Sequence, residues 1–154
     1  MTDWNLPRDG GCLCGKVRFR ITAPPLLTMV CHCKGCQRLT ASGFSLSAVV
    51  PSDGFAVTQG EPAIGGLHGV NKHYFCSYCM SWLFTRPDGM DWIVNFRSTL
   101  LDDTGGFSTP FIETFTAEKL PWAATPAVHS FEGFPVLDDY GPLIEKFAHE
   151  PAPR

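Results

Sequence analysis

Long apolar runs, an excess of positive charge and stray cysteines are all missing from this chain. No stretch of its 154 residues approaches the roughly 20 apolar residues that a membrane-spanning helix needs, so no membrane partner is expected. Residues Met1 to Gly10 are polar and lack the apolar centre of a secretory signal, which points to a cytoplasmic setting. Lys and Arg number 12 against 15 Asp and Glu, for a net charge of −3. Without a basic run, the electrostatic footprint of a nucleic-acid binder is absent. Internal repeats and low-complexity segments are absent too. Ser42, Ser45 and Ser47 have no nearby His/Asp pattern that would activate a nucleophile, and Gly65-Gly66 and Gly105-Gly106 read as loop glycines outside any phosphate-cradling motif.

Hydrophobic residues make up 44% of the chain and charged residues 18%, a globular rather than a disordered balance. One domain over residues 1–154 is expected, with a core of about 10–122 and a C-terminal extension of 123–154. Lys16 to Thr22 alternates, with Val17, Phe19 and Ile21 facing one way, and reads as a half-buried strand. Thr28–Cys31, Phe44–Val50, Phe55–Thr58, Lys72–Phe75 and Phe111–Thr116 are further strand candidates. Ser81–Arg86 and Trp92–Phe96 flank a Pro87-Asp88-Gly89 turn and read as a hairpin. Cys33 to Ser42 suits a short helix stopped by Gly43. Tyr140 to His149 suits a terminal helix with Leu143, Ile144 and Phe147 on its apolar face, and Glu150 to Arg154 should fray. A mostly-β fold follows.

All 7 cysteines fall in three clusters: Cys12 and Cys14; Cys31, Cys33 and Cys36; Cys76 and Cys79. In a reducing compartment such clusters read as metal ligands or redox groups before disulfides, and an odd count disfavours a pure disulfide framework. Two pairs suit one closed four-thiolate zinc site, Cys12, Cys14, Cys76 and Cys79, of structural character. Gly15 can turn the chain with positive φ after the first pair. Met80 holds the equivalent place after the second, at a cost of about 1–2 kcal/mol if that turn is also left-handed. The triplet Cys31, Cys33 and Cys36 can hold a second zinc with a position left open, the arrangement of a catalytic, more labile site. His32 between two ligands is a fourth ligand, a proton shuttle or a polar residue pointing away.

Gly11-Cys12-Leu13-Cys14-Gly15-Lys16-Val17, Cys31-His32-Cys33-Lys34-Gly35-Cys36-Gln37-Arg38 and Phe75-Cys76-Ser77-Tyr78-Cys79-Met80-Ser81-Trp82-Leu83-Phe84 together resemble the glutathione-dependent formaldehyde-activating enzyme family, which also includes centromere protein V. Weaker agreement runs through Thr99–Asp103 and Leu120-Pro121-Trp122. The resemblance implies a β-tent of short, stacked antiparallel sheets stapled by zinc. It implies a structural zinc on the four-cysteine set and a catalytic zinc on Cys31, Cys33 and Cys36. It also implies carbon–sulfur lyase chemistry, the condensation of glutathione with formaldehyde to S-(hydroxymethyl)glutathione. Met80 and Ala41 stand where the family commonly has glycine.

A small thiol such as glutathione and a small aldehyde are then the expected partners. Lys34, Arg38 and Lys72 are candidates to hold the thiol's carboxylates, and His32 or His73 to move a proton. Two rival readings remain. One is a non-catalytic, zinc-stabilised binding module, which has no need of an under-coordinated metal. The other is thiol or methionine sulfoxide redox work, which needs a nucleophilic cysteine outside the metal sites. Trp82 and Trp92 read as core, Asp102-Asp103 and Asp138-Asp139 as solvated turn carboxylates, and Glu113 and Glu145 as strand and helix surface.

Overall fold

The computed structural model describes residues 3–150 of the chain. Its strands are β1 (Arg8–Gly11), β2 (Arg18–Ile21), β3 (Leu27–Cys31), β4 (Ser45–Pro51), β5 (Phe55–Gln59), β6 (Ala63–His68), β7 (Asn71–Phe75), β8 (Trp82–Arg86), β9 (Ile93–Arg97), β10 (Ile112–Thr114) and β11 (His129–Ser130). The helices are α1 (Lys34–Thr40), directly after the cysteine triplet, and α2 (Leu137–His149) near the C-terminal end. The mostly-β expectation holds, with both helices in place.

Alternation sets the first sheet. Along β2, Phe19 and Ile21 turn inward and are fully buried, while Arg20 on the outer face binds Asp9 at 2.8 Å. Pairing with β1 and β5 makes a three-stranded sheet in the order β1-β2-β5. The second sheet runs β11-β10-β3-β4-β9-β8-β7-β6. Phe19, Ile21 and Phe55 of the small sheet pack onto Ala48, Val50, Phe84, Val94 and Phe96 of the large one. Ring centroids lie 5.4 Å apart for Phe19 and Phe55, and 4.7 Å apart for Phe55 and Phe84. Each such buried ring is worth roughly 2–3 kcal/mol over its exposed state. Elsewhere, Leu143 and Phe147 of α2 cover Leu27, Met29, Phe111 and Ile112. Every residue of β3 is buried, as a strand covered on both faces requires.

Several expectations change. The large sheet is not wholly antiparallel, because β10 runs parallel to both β3 and β11 at one edge. Gly65 and Gly66 lie within β6 rather than in a loop. α1 stops not at Gly43 but at Ala41, whose φ of 50° closes the helix through an N–H bond to the Gln37 carbonyl. Gly43 answers a different demand, since a Cβ there would sit 2.9 Å from the Trp122 ring. Trp92 is 59% exposed and so not core, unlike Trp82. α2 begins three residues before Tyr140, with Asp138 and Asp139 in its first turn, where carboxylates suit the positive end of the helix dipole. The expected fraying of residues 151–154 falls outside the described residues. Among the described residues, no helix is long and apolar enough to cross a membrane.

Candidate metal centres

Two tight turns make the first centre. Cys12 ends the run out of β1, and its N–H bonds to the Val17 carbonyl while Gly15 N–H returns to the Cys12 carbonyl at 3.1 Å. The turn between β7 and β8 repeats the device: Cys76 N–H bonds to the Ser81 carbonyl, and Met80 N–H returns to the Cys76 carbonyl at 3.0 Å. Both turns need a left-handed residue, Gly15 at φ 77° and Met80 at φ 60°. Met80 therefore accepts the strained conformation instead of shifting the backbone.

These turns bring the sulfurs of Cys12, Cys14, Cys76 and Cys79 within 4.8 Å of one another. Cys12 and Cys14 Sγ are 3.5 Å apart, and Cys14 and Cys76 Sγ 3.7 Å. Four thiolates around zinc at a Zn–S distance of about 2.3 Å stand about 3.8 Å apart, so the set fits such an ion. Val17 N–H donates to Cys12 Sγ at 3.3 Å, and Cys79 N–H to Cys76 Sγ at 3.5 Å. The Ser81 hydroxyl, 3.2 Å from Cys79 Sγ, leads the contacts that hold the Cys79 thiol down to about 5. Because one turn joins β1 to β2 and the other β7 to β8, the tetrad links the two sheets.

The second centre sits where β3 gives way to α1. Cys31 ends the strand, Cys33 caps the helix and Cys36 lies in its first turn. Their three sulfurs also lie within 4.8 Å of one another, and among the described residues no His, Asp or Glu joins them. Cys36 N–H donates to Cys33 Sγ at 3.3 Å, and the Ser45 hydroxyl to Cys36 Sγ at 3.1 Å. Neighbouring thiols push two of the three pKa values up: Cys31, then Cys33, raises Cys36, and Cys33 leads in raising Cys31 against a lowering hydrogen bond from Cys36. Adjacent anions repel, and a dication between them reverses that repulsion. The donor set thus fits a zinc ion held by three thiolates. Trp82 packs on Cys31 and Cys36, with Leu39, Phe75 and Phe115 around them, so the sulfurs sit against a largely apolar wall.

His32 turns away from the triplet. It is wholly buried, and its Nε2–H donates to Glu113 Oε2 at 2.8 Å. Of the three roles open to it, the structure shows the residue pointing away. Glu113, expected on a strand surface, is only 6% exposed. Lys119 Nζ (3.1 Å), Thr125 Oγ1 (3.0 Å) and Ser130 Oγ (2.8 Å) also donate to its carboxylate. Burial pushes that carboxyl up, but the hydrogen bonds from His32, Ser130, Lys119 and Thr125 prevail and hold it at about 2. Nearby, Gln37 Nε2 donates to the His32 carbonyl at 2.7 Å, and Lys34 N–H to Glu118 Oε2 at 2.6 Å. The segment after β10 thereby braces the triplet loop from behind.

Lys34, Arg38 and Lys72 are exposed. His73 is buried with Nδ1 2.8 Å from Thr85 Oγ1, and its ring meets the edge of Trp82 at 4.9 Å, one aromatic layer from the triplet. Asp102 and Asp103 pair with Arg18 and Arg8. Sequence reasoning missed Arg97, buried beside the triplet with its guanidinium carbon 4.0 Å from the Trp82 ring centroid. Burial pulls its pKa down to about 10, against the raising influence of Cys36 and Cys31, so it stays cationic at neutral pH. Carrying the strand one residue past Phe96 would have found it, because Asn95 and Arg97 then share the face opposite Val94 and Phe96.

Among known families, residues 7–118 match the model described as glutathione-dependent formaldehyde-activating enzyme. A curated protein of Halomonas elongata, provisionally named glutathione-dependent formaldehyde-activating enzyme, is 31% identical over 86 residues. That match covers 49% of this chain and 55% of the other, so the chain spans about half the length of the curated relative. A solved Rhodobacter sphaeroides protein superposes with a TM-score of 0.52 at 18% identity, covering 61% of this chain and 87% of that one, a likeness of fold.

Proposed function

The chain belongs to the glutathione-dependent formaldehyde-activating enzyme family, and on that premise we propose that it is a zinc-dependent carbon–sulfur lyase joining a small thiol, glutathione first, to formaldehyde or a related aldehyde. The observation that carries this reading is the convergence of Cys31, Cys33 and Cys36 with no fourth protein ligand among the described residues. Cys31, Cys33 and Cys36 would hold an ion there with a place left for a substrate atom. Zinc in that place supplies a Lewis acid that lowers the pKa of a thiol and polarises a carbonyl oxygen. Cys12, Cys14, Cys76 and Cys79 would hold the second ion in a purely structural role.

The chain's own residues bind, orient and shield. Ser45 fixes the Cys36 sulfur and the Cys36 N–H the Cys33 sulfur. Trp82, Phe75 and Phe115 limit water beside them. His32 and Glu113 hold the loop between Cys31 and Cys33. The reaction adds S–H across C=O: a carbon–sulfur bond forms, the carbonyl oxygen becomes a hydroxyl, and the thiol's proton ends on that oxygen. No oxidant or reductant is consumed. Holding thiol and aldehyde together converts a bimolecular addition into a local one. Exposed Lys34, Arg38 and Lys72 are the candidates to meet a thiol's carboxylates, and the need for reduced thiols suits a cytoplasmic setting.

The test is exchange NMR of labelled formaldehyde with glutathione, with and without zinc-loaded protein. Faster formation of the S-hydroxymethyl adduct is expected. No acceleration over the spontaneous rate, for any aldehyde and thiol tried, would overturn the proposal.

A further inference from the structure

Arg97 is buried without a carboxylate. It is 6% exposed, its Nη2 donates to the Asn95 carbonyl at 3.1 Å, and its Nε–H is buried with no partner. Arg8, Arg18 and Arg20 each meet an aspartate, whereas among the described residues no carboxylate reaches Arg97. An unpaired guanidinium in such a place costs several kcal/mol unless an anion stands nearby.

The register supplies the anion. Arg97 lies opposite Ser47 and Cys31 opposite Ser45, so the two flank β4 and project from the same face of the sheet. The guanidinium stacks on Trp82, and Trp82 packs on Cys31 and Cys36. The groups of negative character facing Arg97 are therefore the thiols of the trio. Three thiolates around a dication leave one net negative charge, which Arg97 cancels. A thiolate joining them would otherwise raise the buried charge to two negatives, in surroundings that screen it poorly.

We propose that Arg97 is a positioning residue that makes the triplet centre accept an anionic sulfur as its fourth ligand, by cutting the buried charge of the thiolate-filled centre from two negatives to one. This rests on the function proposed above. It assigns Arg97 to the sulfur, not to the carboxylates of glutathione, and it predicts discrimination between charged and neutral ligands that packing alone would not give.

The test uses protein with zinc in the tetrad and Co(II) in the triplet, whose visible spectrum reports each added ligand. 2-Mercaptoethanol, glutathione and imidazole are titrated into the wild type, R97M and R97K. R97M should weaken both thiols by about tenfold or more, the loss typical of a charge-assisted contact. Imidazole, which is neutral, should bind R97M within about twofold of the wild type, and R97K should restore most of the mercaptoethanol affinity. If R97M does not fold, R97Q takes its place. Equal losses for thiol and imidazole would make Arg97 merely structural, and loss for glutathione alone would assign it to a carboxylate. Unchanged thiol binding would likewise overturn the proposal while leaving the lyase reading intact. A wild-type cobalt protein that accepts no thiol would end the lyase reading itself, and the role of Arg97 with it.

Discussion

Replacing Met80 with glycine should stabilise the protein. Met80 holds φ at 60° and closes the Cys76–Cys79 turn through its N–H, while its side chain is 65% exposed and contributes little packing. A left-handed conformation costs an L-residue about 1–2 kcal/mol, and a glycine adds unfolded-chain entropy worth about 0.5–1 kcal/mol. The net gain of Met80→Gly is thus about 0.5–1 kcal/mol, or a rise in Tm of roughly 1–4 °C for a domain of this size. Gly15, at φ 77° in the matching turn, offers the reciprocal test, because a Cβ there meets nothing within 4 Å. Gly15→Ala should therefore destabilise by about 1 kcal/mol through the backbone alone. Calorimetry in zinc-buffered solution keeps all variants in the same metal-loaded state. Met80→Ala is the control: it keeps the strain, so it should gain nothing. A Met80→Gly protein no more stable than wild type, or a Met80→Ala protein that gains as much, would refute the strain assignment.

Cys76→Ser should release the tetrad's tightly held zinc and lower stability by several kcal/mol, read by chelator competition and unfolding; an unchanged zinc content would remove the tetrad from the fold's support. Cys33→Ser should abolish the labile metal and the activity yet keep the fold, since a serine oxygen can cap α1 as Cys33 Sγ does; a fully active variant would exclude the trio from the chemistry. Glu113 is held at about 2 in the fold against an ordinary 4.5. Its depressed pKa contributes stability that is fully present above about pH 4.5 and lost as pH falls toward 2, about 3 kcal/mol in all. Glu113→Gln should accordingly lie about 2–3 kcal/mol below wild type at pH 7, with a gap that closes between pH 4.5 and 2. Comparing the two proteins cancels acid release of metal, which both share, and a gap constant from pH 7 to 3 would refute the reading.

The cysteine clusters announce themselves because a metal site demands several sulfurs within a few residues, the β2 pattern because burial on one face enforces a period of two, and β8–β9 because a Pro-Asp-Gly turn separates two apolar runs, both of which are buried along most of their length. Other parts were hidden for physical reasons. β6 carries Gly65 and Gly66, which lack the side chains that make a strand recognisable. β11 is two residues long and exists through its parallel partner β10, a pairing no local pattern encodes. Glu113 reads as surface because its burial depends on donors from residues 119, 125 and 130, each weak as a signal alone. Arg97 is the hardest to see: a charged residue at a strand end normally marks an edge, and only the cross-strand register reveals that it faces sulfur.

The two centres also depend on each other through the chain. Only Met80 and Ser81 separate Cys79 of the tetrad from Trp82 of the triplet's wall, and Ser81 is itself tied to both halves of the tetrad: its hydroxyl accepts from Leu13 N–H at 3.1 Å and lies 3.2 Å from Cys79 Sγ. Closing the tetrad therefore fixes where β8 starts and hence where the Trp82 ring stands. That ring is the surface on which the Arg97 guanidinium rests and against which Cys31 and Cys36 pack. On the opposite side, Glu113 fixes His32 and the loop that carries Cys33. The trio is thus positioned by the tetrad turn on one flank and a buried carboxylate network on the other.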